Sequence, residues 1–282
     1  MYRQLSTHPE VWTPPVKELH YFDRKFPIER VAKKKGAKSG VFGIYKSHGR
    51  KLIVHVIARA VSRGAIKDII WANRYFSGQL SDERYMSLFK PARNKVSGEF
   101  TTDYCALSDA AVDHVYQMLP QLRVIFLLRN PIERSWSHAR MLLPELLGKP
   151  LESITEDEFI GYLCHPAAKR KSEYMRTLDI WERRYPKEQL LTGFYDDIAR
   201  NPENLIKGIL EFIGVKADSP SVLGAIHKKV NVGKGKSNMP VKIYKILANE
   251  YMDELIALSQ RFDSYAITWL ESARLALAAD QS

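Results

Sequence analysis

The sequence has little cysteine and no long apolar run, and both absences restrict the class of protein. Two cysteines among 282 residues, Cys105 and Cys164, cannot form a disulfide framework. They favour a reducing compartment and predict a cytoplasmic protein. No stretch of 18 or more apolar residues is present, so we expect no membrane span. The opening MYRQLSTHPEVW also lacks the apolar core of a secretory signal peptide.

Metal and phosphate-loop motifs are absent too. No group of His, Cys or carboxylate residues has metal-ligand spacing, so we expect no metal. The segment GAKSG, 36–40, lacks both a preceding strand and the G-x-x-x-x-G-K-[ST] spacing, which disfavours a P-loop kinase. It lies in a Lys- and Gly-rich stretch, 32–51, that is typical of a loop.

Basic residues are in excess and give a formal net charge of +11. Such an excess indicates an anionic partner, which could be nucleic acid, a nucleotide, an acidic glycan or a membrane surface. A merely solubilising basic surface is an equal alternative. The hydrophobic fraction of 45% suits a substantial core, and the length suits one large domain or a domain with a subdomain.

Helical patterns alternate with two apolar runs, RVIFLL at 123–128 and QLLTGFY at 189–195. Continuous apolar runs with β-branched and aromatic residues are typical of strands buried on both faces of a parallel sheet. The order therefore predicts an α/β fold, a parallel β-sheet flanked by helices. KVSGEFTTDY, 95–104, reads as a strand and a turn. The predicted helices are 52–76, 81–89, 108–119, 152–163, 172–185, 202–213 and 240–262.

The stretch LLRNPIERSWSHAR, 127–140, places a strand end, a turn and a helix start within a few residues. Asn130 suits a helix N-cap and Pro131 the first helical position. Arg129 carries a planar fork that matches phosphate, and a helix start favours anions. Ser137 lies about 9 Å further along the helix. From spacing alone, a structural salt bridge for Arg129 is an open alternative.

This stretch resembles the 3′-phosphate-binding motif of sulfotransferases that use 3′-phosphoadenosine 5′-phosphosulfate. The resemblance implies that Arg129 and Ser137 bind the 3′-phosphate of that donor, which would be the co-substrate. SGEFTTDY, 97–104, resembles the family's G-E-x-T-P-x-Y, with Thr102 at the usual proline position. The likeness extends over most of the chain.

The family likeness also implies the architecture and a third donor-binding segment. It implies a P-loop NTPase-like fold and a single domain over 1–282, with a variable, mostly helical insertion at 24–90 and a C-terminal helical segment at 240–282. NVGKGKSNMP resembles the late loop that closes over the donor. That resemblance implies that three of its residues contact the donor phosphate: Lys234, Gly235 and Lys236.

The segment LSTHPEVWTPPVKELHYFD, 5–23, resembles the family segment that carries the catalytic glutamate in the glycan-modifying branch. It implies Glu18 as general base, with His20 and Asp23 positioning the acceptor or transferring protons. In a strand, Glu18 and His20 would share one face, so an ordinary polar pair is the alternative. We interpret Glu99 as structural.

The family's glycine- and lysine-rich loop for the 5′-phosphosulfate should come just before YRQLSTHPEV and is absent from the sequence. We therefore expect an N-terminally truncated fold with impaired sulfate transfer. A fragment or a misplaced start would explain it, and a degenerate relative that has lost the loop is the alternative. The loop would supply backbone N–H groups and a lysine for the reacting end of the donor.

The resemblance predicts a sulfotransferase that moves a sulfuryl group to a hydroxyl or amine of an acceptor. A carbohydrate is the favoured acceptor class, another small molecule is allowed, and nucleic acid is not expected as a partner. The alternative is a non-catalytic basic module that binds nucleic acid or an acidic glycan, based on the 32–51 stretch and the net charge. That module would bind with a steep salt dependence.

Overall fold

The computed structural model describes residues 1–28, 66–77, 79–218 and 239–279, together with Val222 and Gly224. The described residues divide into two units. The first unit contains 1–28, 66–77, 79–123 and 202–218, and the second contains 124–201 and 239–279. Helices and strands are numbered along the whole chain.

In the first unit, two very short strands pair in parallel, with Val11 opposite Val96. They are β1 (Val11–Trp12) and β2 (Val96–Ser97). The predicted strand and turn at 95–104 are thus reduced to β2 and a 3-10 turn at Thr102–Ala106. The helices of this unit are α1 (Tyr2–Leu5), α2 (Phe22–Lys25), α3 (Ile66–Phe76), α4 (Asp82–Ser87), α5 (Asp109–Met118) and α11 (Pro202–Ile213).

Two serines begin helices of the first unit as the sequence predicts. The Ser81 hydroxyl accepts a hydrogen bond from the Arg84 N–H at 3.2 Å. The Ser108 hydroxyl accepts one from the Ala111 N–H, also at 3.2 Å. Each bond satisfies an N–H that the first helical turn leaves without a partner, which fixes where α4 and α5 begin.

In the second unit, β3 (Val124–Leu128) pairs in parallel with β4 (Leu190–Phe194). The parallel pairs confirm the predicted α/β class. Each strand has one neighbour among the described residues, so most of its side chains are only partly buried, not enclosed on both faces as predicted. The helices are α6 (Pro131–Leu147), α7 (Glu156–Leu163), α8 (Pro166–Lys169), α9 (Tyr174–Glu182), α10 (Asp197–Arg200), α12 (Val241–Glu250), α13 (Met252–Arg261) and α14 (Tyr265–Ala278).

Helix α6 provides the centre of the second unit's core. Asn130 caps it by accepting the Ile132 N–H at 3.0 Å, and Pro131 is its first residue, as predicted. It ends at Gly148, whose φ of 69° is left-handed. Buried side chains recur at spacings of three and four along it, which is the pattern of a helix packed on one face. They are Ile132, Ser135, Trp136, Ala139, Leu143 and Leu146.

The predicted helix 240–262 is two helices, because the chain breaks at Tyr251 between α12 and α13. Tyr251 is buried, and its hydroxyl lies 2.8 Å from the Ser135 hydroxyl of α6. This long-range contact is invisible in the helical periodicity. Residues 52–65 of the first predicted helix, and the 32–51 stretch, lie outside the described residues. None of the described helices has the length and apolar character needed to cross a membrane.

The end of α11 supplies a stability test. Gly214 has a φ of 78°, so Gly214→Ala should lower the free energy of unfolding by about 1–2 kcal/mol through left-handed strain. Gly208, inside the same helix, faces open space where an alanine methyl group would lie. Gly208→Ala should therefore raise stability by roughly 0.5–1 kcal/mol. Urea unfolding midpoints measure both, and changes of the same sign would contradict this account.

Candidate functional site

The 17–20 segment is not a strand, because two of its residues take left-handed backbone conformations. Glu18 has a φ of 62° and His20 a φ of 53°. Such conformations cost about 1–2 kcal/mol for a residue with a side chain. They persist where surrounding contacts over-determine the backbone, and they are concentrated at functional sites. The shared strand face that sequence alone allowed for Glu18 and His20 is therefore wrong.

Glu99 is the acceptor that holds this backbone. One carboxylate oxygen accepts the Leu19 N–H at 3.3 Å and the Thr101 hydroxyl at 2.6 Å. The other accepts the hydroxyls of Tyr85 at 2.6 Å and Tyr104 at 3.0 Å. Burial raises the pKa of Glu99, although these hydrogen bonds act in the opposite direction. Its role is structural, as the sequence analysis anticipated.

Three further hydrogen bonds fix the backbone around His20. The Glu18 N–H donates to the Phe100 carbonyl oxygen at 3.1 Å. The Tyr75 hydroxyl donates to the Leu19 carbonyl oxygen at 3.1 Å. The Tyr21 N–H donates to the Tyr104 hydroxyl oxygen at 3.0 Å, and that hydroxyl in turn donates to Glu99. The segment is thus held from several elements of the first unit, which makes its side-chain directions well defined.

The His20 imidazole lies between carboxylates. Its Nδ1 is 3.0 Å from an oxygen of Asp23, and its Nε2 is 3.6 Å from an oxygen of Glu18. Burial lowers the pKa of His20, but the contacts with Asp23 and Glu18 and the nearby charge of Asp103 outweigh it and raise the pKa to about 9. His20 is therefore an imidazolium at neutral pH.

Of the three residues predicted at the reacting end, Glu18 alone is suited to accept a proton at neutral pH. The contact with His20 holds the pKa of Glu18 below its ordinary value, against the effect of burial, and one third of its side chain is exposed. His20 already carries its proton, and the Asp23 side chain is fully buried. The arrangement places an ionised, accessible carboxylate beside a fixed positive charge.

His20, Asp23 and Asp103 could each offer one ligand atom to a cation, since these atoms lie within 4.8 Å of one another. A histidine binds a metal only through an unprotonated nitrogen. The raised pKa of His20 therefore opposes metal binding at neutral pH. The same electrostatics favour a role as a protonated partner of Glu18 and Asp23.

Arg129 follows directly after β3 in the second unit and has an incompletely satisfied guanidinium. Its Nε is buried and has no hydrogen-bond partner among the described residues. One terminal nitrogen lies 3.7 Å from an oxygen of Glu133, whose side chain is 60% exposed. Such an exposed ion pair contributes little free energy. The structural salt bridge that sequence allowed for Arg129 is present but weak.

The start of α6 lies next to Arg129. Its N–H groups and macrodipole provide partial positive charge at the point where the Arg129 side chain begins. Ser137 is exposed on α6, four residues after Glu133 and therefore on the same side of the helix. Arg129 precedes the helix, and its contact with Glu133 directs its guanidinium towards this side of α6.

Sequence reasoning missed Tyr195, whose ring lies 4.8 Å from the Arg129 guanidinium carbon. The ring is about half exposed, and stacking restricts where the guanidinium can point. The alignment of β3 with β4 is the feature that could have identified Tyr195. Leu128 pairs with Phe194, so the next residues, Arg129 and Tyr195, leave the same edge of the parallel pair side by side.

The remaining predicted site residues, Lys234, Gly235 and Lys236, lie outside the described residues. Glu18, His20 and Asp23 belong to the first unit, and Arg129 and Ser137 to the second. The structure thus brings the three residues of the reacting end into contact with one another. It separately places Arg129 just before the start of α6 and Ser137 on the side of that helix where Arg129 contacts Glu133.

Comparison with known protein families shows what the chain is similar to. A family described as "Sulfotransferase family" matches residues 67–219, which is more than half of the chain. No curated protein sequence matches the chain.

Solved structures give a second comparison. A sulfotransferase from Alicyclobacillus acidocaldarius has a TM-score of 0.61 at 19% identity, over 95% of this chain and 92% of that chain. This similarity confirms the predicted α/β fold. A sulfotransferase domain from the curacin biosynthetic pathway has a TM-score of 0.47 at 16% identity, over 83% of this chain and 74% of that one. A sulfotransferase domain from the Synechococcus PCC 7002 olefin synthase has a TM-score of 0.46 at 14% identity, over 95% and 87%.

The charge state of His20 can be tested through stability. Its folded pKa of about 9 lies above the ordinary 6.5, so the stabilisation is complete below pH 6.5 and is lost as pH rises through 9. We expect wild type to lose about 2–3 kcal/mol between roughly pH 6 and pH 10 relative to His20→Gln. Urea unfolding across this range measures the difference.

A second variant and a direct titration complete the His20 test. Asp23→Asn removes one of the carboxylates that raise the pKa of His20, so the loss of stability should move to lower pH. NMR titration of the imidazole in wild type should give a midpoint near 9. An ordinary midpoint in the folded protein would refute the proposed charge state.

Proposed function

The chain belongs to the sulfotransferase family, and on that premise we propose that it moves a sulfuryl group from 3′-phosphoadenosine 5′-phosphosulfate to a hydroxyl or amine of a carbohydrate acceptor. The donor supplies a sulfuryl group whose S–O bond to the 5′-phosphate breaks as the acceptor atom bonds to sulfur. The acceptor loses a proton in the same process, and 3′-phosphoadenosine 5′-phosphate is released.

The observation that carries this proposal is the buried Nε of Arg129, which has no hydrogen-bond partner among the residues that the structure describes. A buried nitrogen without a hydrogen-bond partner is costly, and a phosphate oxygen would satisfy it with a charge-assisted bond. Glu133 approaches only one terminal nitrogen and is mostly exposed, so a doubly charged phosphate can displace it. Tyr195 positions the fork, and the Ser137 hydroxyl offers a further donor along the helix.

Glu18 is the general base in this proposal. Its carboxylate is ionised at neutral pH and accessible, so it can accept the acceptor's proton as the new bond to sulfur forms. His20 keeps the carboxylate oriented through their ion pair, and Asp23 keeps His20 protonated and in place. The resemblance of the 5–23 segment to the glycan-modifying branch supports the choice of a carbohydrate acceptor.

Donor binding is tested with 3′-phosphoadenosine 5′-phosphate and calorimetry. Arg129→Ala should weaken binding about 100-fold, because it removes a charge-assisted phosphate contact of about 3 kcal/mol. Arg123→Ala is the matched control, since Arg123 is exposed and precedes the same strand at its other end. It should change affinity less than twofold. Equal losses in the two variants would support the alternative of a basic module that binds anions through net charge.

The base is tested with Glu18→Gln, which keeps the side-chain shape and removes the charge. The rate of sulfate transfer should fall by a factor of about 10² to 10⁴, the usual contribution of a general base. Affinity for 3′-phosphoadenosine 5′-phosphate should stay within twofold. Glu152→Gln, an exposed position in the second unit, should leave both unchanged. Full activity of Glu18→Gln would exclude Glu18 as the base.

A further inference from the structure

Helix α14 of the second unit exposes apolar side chains on the side that faces away from the core. Its inner side packs against α12 and α13, and the buried residues there recur at spacings of three and four. They are Ala266, Trp269, Leu270 and Ala273. On the outer side, Leu275 is 73% exposed and Ile267 is 40% exposed. A helix that is apolar on both sides is usually covered by another surface.

The exposed residues of α14 form a stripe along one side of the helix. Its members are exposed and follow one another at spacings of four, three and four, with one further residue beside them. They are Ile267, Glu271, Arg274 and Ala278, with Leu275 at the border. Side chains at such spacings are neighbours on a helix surface. Glu271 and Arg274 are the only charged residues of α14, so the stripe carries no net charge.

The two charges of the stripe are not used within the described part of the chain. Neither Glu271 nor Arg274 has an ion-pair partner among the described residues. They stand one turn apart in the middle of the stripe, with apolar side chains on either side of them. Two opposite charges framed by apolar residues can therefore direct how another protein surface aligns on this helix.

The charge of the stripe disfavours two classes of partner and favours a third. Nucleic acid requires clustered Lys and Arg side chains, and helices that lie on a membrane surface are usually rich in Lys and Arg on their polar side. The stripe has one arginine and one glutamate. Copies of a chain with a net charge of +11 repel one another. Contact between two copies is least opposed at an uncharged surface such as this stripe.

Two copies of the stripe are complementary when their helices run antiparallel. A two-fold axis halfway between Glu271 and Arg274 places each of these residues opposite the other residue of the second copy, so two ion pairs form. In the same alignment, Ile267 lies opposite Ala278 of the second copy, a large side chain against a small one. Leu275 lies between Ile267 and Glu271 of the second copy. Parallel helices would instead place like charges opposite each other.

We propose that the α14 stripe is a self-association surface, through which two copies of this chain form a two-fold dimer with antiparallel α14 helices. This inference goes beyond the proposed function, because no residue assigned to the donor or the acceptor lies on α14. With 14 residues, α14 is about 21 Å long, so the interface is small. We therefore expect a reversible dimer with a Kd on the order of micromolar.

Sedimentation equilibrium of the full chain at fixed ionic strength, between roughly 1 and 100 µM, measures the dimer. Glu271→Arg should raise the Kd about tenfold, because it replaces two attractive pairs of the symmetric dimer with two repulsive ones. Arg274→Glu should raise it to a similar extent. The double variant Glu271→Arg/Arg274→Glu exchanges the two charges and restores both pairs. Its Kd should therefore return to within about threefold of wild type.

Glu211→Arg is the matched control, because it makes the same charge reversal at an exposed position of helix α11, in the first unit. It gives the chain the same net charge as Glu271→Arg and should change the Kd less than about twofold. Leu275→Gln should raise the Kd about tenfold through lost apolar contact, and Gln is a good helix former. Circular dichroism should show unchanged helix content in all of these variants.

Several results would overturn the proposal. A wild-type chain that stays monomeric over the whole concentration range would do so, and so would equal weakening by Glu271→Arg and Glu211→Arg. A double variant that associates no better than the single variants would exclude the antiparallel alignment. A monomeric chain that instead sediments with phosphatidylcholine vesicles would assign the stripe to a lipid surface and exclude the dimer.

Discussion

The Glu99 carboxylate is the constraint on which the conformation of the 17–20 segment depends. It accepts hydrogen bonds from the Leu19 N–H and from the Tyr85 and Tyr104 hydroxyls, so it ties the strained segment to separate elements of its unit. A buried acceptor filled by several donors defines one geometry, since any other arrangement would leave polar groups unpaired. The left-handed backbone at Glu18 and His20 is maintained by that network.

The two units differ in how far the protein compensates a positively charged side chain. Around His20 the protein supplies its own counter-charges, and the imidazolium is neutralised by neighbouring carboxylates. Around Arg129 it leaves a cation poorly compensated, with a buried nitrogen that lacks a partner among the described residues. The first arrangement fixes the protonation state of His20 within the protein, and the second leaves Arg129 able to form a further charge-assisted hydrogen bond, as the proposed donor site requires.

The sequence predicted those features of the fold that depend on only a few neighbouring residues. Asn130 and Pro131 begin α6, helices begin near Ser81 and Ser108, and the two apolar runs pair in parallel, because capping chemistry and apolar periodicity act over a few residues. Contacts between residues far apart in the chain could not be predicted from such local patterns. Tyr251, at the break, contacts Ser135, which is 116 residues away, and the conformation of the 17–20 segment depends on Glu99, about eighty residues away. The protonation of His20 also depends on folded contacts, which no local pattern indicates.

The pairing of β3 with β4 has a consequence for the proposed phosphate site. In a strand, side chains alternate between the two faces, so a slip of one residue would turn Arg129 away from the ring of Tyr195. The direction of the Arg129 guanidinium thus depends on the alignment of β3 with β4 as well as on the arginine itself. Substitutions in the partly buried strand interiors can then change the geometry of the proposed phosphate site without altering any residue assigned to it.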